Sequence, residues 1–150
     1  MTEFNLIFGG LLGSLGFALL YNIRGRRLVA AAGGGLLCCA LFVILGLFIQ
    51  NEPLKYFIVS LATSVYSEIF SRILKTPTTT FIITALIPLI PGGALYYTMS
   101  SAFEGDFDIF LTNAISTLLL ALALAVGVCI AVAGTRFIMR IKAATEHKSK

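Results

Sequence analysis

The sequence predicts an all-α integral membrane protein of about five transmembrane helices, the fourth of them broken. Three observations predict it. Of 150 residues, 58% are hydrophobic and only 12% are charged, with a mean hydropathy of +0.96. A soluble domain is about a quarter charged, so this chain lacks the polar side chains to cover a water-facing surface. The apolar residues fall into five runs near spanning length, about 20 residues each. The charges are confined almost entirely to the short gaps between those runs.

The first run is Phe4 to Tyr21. It has no basic region before it and no small-residue cleavage pattern after it, so it reads as a mature helix rather than a signal peptide. The second run is Leu28 to Ile49. The third, Leu54 to Leu74, is more polar. The fourth is Phe81 to about Met99, and the fifth runs from about Ile109 or Ala114 to Ile138. Residues 1–141 form one membrane domain, and 142–150 form a basic tail. The segment Thr76 to Thr80 around Pro77 reads as a turn and helix cap.

Basic residues set orientation, because Lys and Arg accumulate on the cytoplasmic side. Arg24, Arg26 and Arg27 follow the first run, and Arg72 and Lys75 follow the third. Arg136, Arg140, Lys142, Lys148 and Lys150 follow the fifth. With five spans these ten of the eleven basic residues share one side. The other side carries Lys55 with Glu3, Glu52, Glu104, Asp106 and Asp108. The N-terminus is therefore expected outside and the C-terminus in the cytoplasm. The same pattern argues against nucleic acid as a partner for the net charge of +4.

Helices in lipid associate through small residues that let backbones approach. Gly9 and Gly13 give that spacing in the first run, Gly33, Gly34 and Gly35 in the second, and Ala123, Gly127 and Ala131 in the fifth. So small a bundle is expected to assemble with another membrane chain or with itself. Cys38, Cys39 and Cys129 have neither disulfide nor metal-ligand spacing and read as small apolar residues. No nucleophile–base pair, phosphate loop or metal motif is present, so neither an enzyme nor a cofactor is expected.

Two features can carry chemistry. The fourth run contains Pro88, Pro91, Gly92 and Gly93, followed by Tyr96 and Tyr97. Two prolines remove two backbone donors and clash with preceding carbonyls, and the glycines permit dihedrals closed to other residues. A broken helix at membrane depth is tolerated where protein or a cavity satisfies the freed groups. Such breaks form substrate sites in secondary transporters; a simple proline kink is the plainer reading. Tyr96 and Tyr97 read as interfacial anchors or as site lining. The second feature is Glu68, a carboxylate inside the third run. Arg72 lies four residues on, in the favourable order for a helical ion pair. An interfacial pair and a proton-coupling carboxylate both fit. Ser60, Thr63, Ser64 and Ser67 add a polar stripe.

Gly16-Phe-Ala-Leu-Leu-Tyr-Asn22 with Arg26, Glu68-Ile-Phe-Ser-Arg72, Pro77, and Ile87-Pro-Leu-Ile-Pro-Gly-Gly-Ala-Leu-Tyr-Tyr97 resemble the bacterial threonine/serine exporter family in its small-subunit form. That form corresponds to the C-terminal membrane half of the full-length exporters. The resemblance implies a multi-pass protein of the bacterial cytoplasmic membrane, a larger membrane subunit as partner, and export of threonine, serine or a dicarboxylate such as succinate driven by the proton-motive force. It implies roles for Asn22, Arg26, Glu68, Arg72, Pro77, Pro88, Pro91, Gly92 and Tyr96. Arg24 departs from the family, whose members often carry proline there. An accessory subunit that stabilises a larger transporter and a small self-assembling channel are the other readings.

Overall fold

The structure is a computed structural model that describes the backbone of residues 3–148 and the side chains of 5–139 and 141. The side chains of Arg140 and of the basic tail from residue 142 lie outside the described residues. Helix α1 (Glu3–Leu20) is followed by α2 (Arg26–Phe48), α3 (Glu52–Ile73), α4 (Thr78–Leu86), a single 3-10 turn (Ile87–Leu89), α5 (Gly92–Glu104) and α6 (Phe107–Lys148). The described residues are all helix, turn or loop.

The local chemistry explains the ends. Helix α1 closes with a pair of bonds, Ile23 N–H to Ala18 O and Asn22 N–H to Leu19 O, both 2.9 Å. This six-to-one and five-to-two pattern is the Schellman motif, which needs a left-handed residue past the last turn. Asn22 supplies it at φ 56°. Helix α3 ends the same way: Thr76 N–H bonds Ser71 O, Lys75 N–H bonds Arg72 O, and Lys75 takes φ 48°. Gly25, at φ 64° and ψ −137°, leads into α2 in a conformation that suits glycine. Asn51 caps α3 by accepting the Leu54 N–H at 3.3 Å, with Pro53 just inside the helix. Gly105, at φ 82°, ends α5.

Two helices are long and apolar enough to cross a membrane: α2, and α6 over Phe107–Met139, which is 33 residues. A third is obtained if α4 and α5, bent 57° at their junction, count as one span. Helix α1 is apolar but short, and α3 is long enough but lowered in hydropathy by its hydroxyls.

Helix α3 packs on α6, α2 and α4, and α2 also packs on α1 and α4. Close approach depends on small residues. A Cβ on Gly34 would meet Ala85 Cβ at 2.8 Å, and one on Gly127 would meet the Phe57 carbonyl at 2.7 Å as well as Ser60. The α1–α2 contact does not run through Gly9 and Gly13. A Cβ on Gly9 or Gly13 meets nothing within 4 Å. Gly10 and Ser14 instead face α2, against Cys39 and Gly35. The register is one residue round, and both registers carry small residues four apart. Tyr66 ties α3 to α2 by donating its hydroxyl to Ala30 O at 3.0 Å.

Candidate functional site

Helix α3 turns a polar face inward. Ser60, Thr63, Ser64, Ser67, Glu68 and Ser71 recur at three- and four-residue steps, hence on one face, and all are buried. Backbone carbonyls absorb several hydroxyls: Ser60 donates to Phe57 O and Ser67 to Thr63 O, both at 2.9 Å. Ser71 donates to Thr76 O at 2.7 Å and lies 2.8 Å from the Thr78 hydroxyl, which ties the end of α3 to the start of α4. Thr63 faces the Cys38 thiol. Ser64, and Ser14 of α1, are fully buried with no hydrogen-bond partner among the described residues. A buried hydroxyl left so costs about 1–3 kcal/mol.

Glu68 is 3% exposed. Arg72 donates to its Oε2 at 3.0 Å, one turn on, and the guanidinium end remains partly open. The expected i,i+4 pair is therefore formed, with the carboxylate on the protein side and the cation at the margin.

The break in the fourth run is tighter than the sequence suggests. Helix α4 ends at Leu86 and the 3-10 turn runs through Pro88 to Leu89. Ile90 N–H bonds Ile87 O at 3.2 Å, and Gly92 N–H bonds Ile90 O at 2.7 Å across Pro91 at φ −73°, ψ 60°. That is an inverse γ-turn. The prolines make the bend. Gly92 and Gly93 do not use the dihedrals that only glycine allows: they open α5, have no positive φ, and a Cβ on either meets nothing within 4 Å.

Pro88 and Leu89 line a cavity of about 180 Å³ with Leu6, Cys38, Cys39, Phe42 and Tyr56. Beyond the bend the chain changes surroundings. Tyr96 and Tyr97 are exposed, ring against ring at 5.6 Å. Gly93 and Tyr97 face Asn113, Ser116 and Thr117 of α6 across a more open cavity of about 460 Å³. The break thus joins Pro88 to the thiols and Tyr56, but Tyr96 and Gly93 lie apart from them. Glu68 lines none of these cavities. Asn22 sits in the α1–α2 turn beside Arg24 and Arg27, while Arg26 starts α2 and Arg136 is exposed on α6. Among the described residues no acidic, histidine and cysteine side chains group as metal ligands do. Sequence reasoning missed Ser14, Tyr56 and Cys38; only Ser14 had a signal, its four-residue spacing from Gly10.

The sequence matches the family described as threonine/serine exporter, ThrE, over residues 6–133. The chain belongs to the threonine/serine exporter family. The matched region of this exporter family contains the buried face of α3, the Glu68–Arg72 pair and the Pro88–Pro91 bend. It is a family of membrane transporters, and transport is the role the membership supports. A search of curated proteins and a search of solved structures each return no match.

Proposed function

We propose that the chain is one subunit of a secondary transporter that exports small hydroxyl- or carboxylate-bearing metabolites. Threonine- and serine-like amino acids or a dicarboxylate such as succinate are the substrates, and the proton-motive force drives them out. The protein crosses the bacterial cytoplasmic membrane five times, with α1, α2, α3, the bent α4–α5 pair and α6 as spans. Its N-terminus is outside. A larger membrane subunit of the same family completes it, or a second copy of this chain does.

Glu68 carries this reading. A carboxylate at the bilayer centre costs about 3 kcal/mol on insertion scales. Here it is buried on a face of hydroxyls, with Arg72 at 3.0 Å. Protonation of Glu68 removes the charge that holds Arg72, so proton uptake and release reset one contact at the end of α3. The Pro88–Pro91 bend supplies the second element. It sets the Pro88 cavity beside Cys38 and Tyr56, where a small solute can be held.

The test uses the chain purified in mild detergent with whatever larger membrane chain accompanies it. Efflux of threonine, serine and succinate is then measured from vesicles under an imposed pH gradient. Glu68→Gln and Pro91→Ala are each expected to cut efflux at least tenfold at normal protein levels. Unchanged rates in both variants would remove the site assignment. The accessory-subunit reading draws on the open Gly9–Gly13 face and the exposed Tyr96 and Tyr97. It predicts that bulky residues at Gly9 and Gly13 matter and that Glu68→Gln does not.

A further inference from the structure

The α1–α2 turn and the start of α4 enclose a separate cavity of about 330 Å³, lined by Tyr21, Asn22, Arg24, Arg27, Thr76 and Thr80. It shares no lining residue with the Pro88 cavity. Its size falls at the lower end of the range for small-molecule sites, about 300–1,000 Å³. No carboxylate lines it. The two ion pairs among the described residues, Lys55–Glu52 and Arg72–Glu68, engage neither Arg24 nor Arg27. Two exposed arginines thus line one cavity without a counter-charge, with an amide and three hydroxyls, of Tyr21, Thr76 and Thr80, around them.

The backbone that shapes this cavity is fixed. Both Schellman ends, Asn22 after α1 and Lys75–Thr76 after α3, contribute to its walls or adjoin them. Helices α2 and α4 both begin here, at Arg26 and Thr78, and neither Gly25 nor Pro77 gives a side-chain cap. The positive ends of two helix dipoles add to the arginines. An oxyanion is the ligand such a lining favours, and a guanidinium fork fits a carboxylate with two parallel bonds.

We propose that this cavity is a carboxylate-binding site that loads the exported metabolite from the cytoplasmic side. Arg24 and Arg27 hold its carboxylate, and Asn22, Thr76 and Thr80 bond its hydroxyl or second carboxyl group. This rests on the exporter reading and on the proposed orientation. It gives two arginines a task beyond orientation, and the two tasks are separable. Orientation counts charge, which lysine keeps, whereas two-bond recognition needs the planar fork, which lysine lacks.

The experiment is calorimetric titration of the purified protein, with its accompanying chain, using succinate, threonine and inorganic phosphate. It is run in neutral detergent, then in nanodiscs without and with anionic lipid. Saturable succinate binding in neutral detergent is expected. The double variant Arg24→Lys/Arg27→Lys should weaken it at least tenfold and Thr80→Val about threefold, with amount and membrane orientation unchanged. Arg136→Lys, in the same titration, should leave it unchanged. Equal affinity in the double variant and the parent would overturn the proposal. So would a response confined to anionic lipid, which would make the cavity a headgroup contact. Efflux separates the two readings. Lysine-sensitive binding without proton-driven flux of any substrate keeps this site and removes the exporter reading. Flux with an unchanged half-saturating concentration in the double variant keeps the exporter reading and removes this site.

Discussion

The two sides of the Pro88–Pro91 bend are built differently. Before it, α2, α4 and α6 pack on α3, and α1 packs on α2 and α4. Small residues set the spacing there, and the polar face of α3 is enclosed. After it, α5 packs on α6 alone among its extensive contacts, and Ser101 is its one buried residue. The two helices of this second region are joined by polar contacts: Thr98 to Thr117 at 3.0 Å and Asn113 to Ser101 at 3.5 Å. Large apolar side chains such as Phe103, Phe107 and Leu118 point outward. The first region is held by shape. The second is held by a few hydroxyl bonds and keeps its apolar surface for its surroundings. The bend thus separates two kinds of helix packing within one chain.

Breaking the shape-held region should give the largest effect. Gly127→Val places a side chain against the Phe57 carbonyl, which as backbone has little room to shift. It should cost about 3 kcal/mol, read as a lower melting temperature in detergent and a smaller folded yield. A loss under about 1 kcal/mol would mean that α6 does not sit on α3 in this way. The hydroxyl-held region should be more tolerant. Thr98→Val with Thr117→Val should cost about 0.6 kcal/mol in coupling by a double-mutant cycle, the typical value for an interhelical bond in a membrane. A coupling near zero would leave the Asn113–Ser101 contact as the polar link named above between α5 and α6. Gly9→Ala should act in the opposite direction. With nothing within 4 Å, it should stabilise the isolated chain by up to about 1 kcal/mol through helix propensity. The same variant losing its co-purifying chain would show that the open face of α1 is a seat for a partner.

Much of this division could be read from the residues. Hydropathy located the apolar runs in which the helices lie, the fourth of which holds two, because such runs and the gaps between them are a property of composition along the chain. Pro88 and Pro91 announced the bend, since a missing donor and a ring clash are local facts. Glu68 and Arg72 were legible as a pair because their spacing alone puts them on one face. What was not legible depended on neighbours. Gly9–Gly13 and Gly10–Ser14 offer the same small-residue spacing, and only the position of α2 chooses the second. Gly92 and Gly93 looked like the hinge, yet the prolines had already made the turn, which left the glycines free to begin a helix. The left-handed Asn22 and Lys75 were missed too, because the five-residue span of a Schellman closure carries no strong mark when the turning residue is not glycine.

The length of α6 sets a demand on what surrounds the chain. Its uncharged stretch, between Asp108 and Arg136, has about 27 residues, about 40 Å at 1.5 Å per residue. The hydrocarbon of a bilayer is about 30 Å thick. Tilts of spanning helices reach about 40°, which accommodates about 39 Å. Upright, α6 would leave roughly 10 Å of apolar rod outside the hydrocarbon, which a steep tilt takes in. Bilayer thickness therefore becomes a variable that acts on this protein. Thin membranes would leave a surplus that further tilt, a kink, local thickening or another protein surface must absorb.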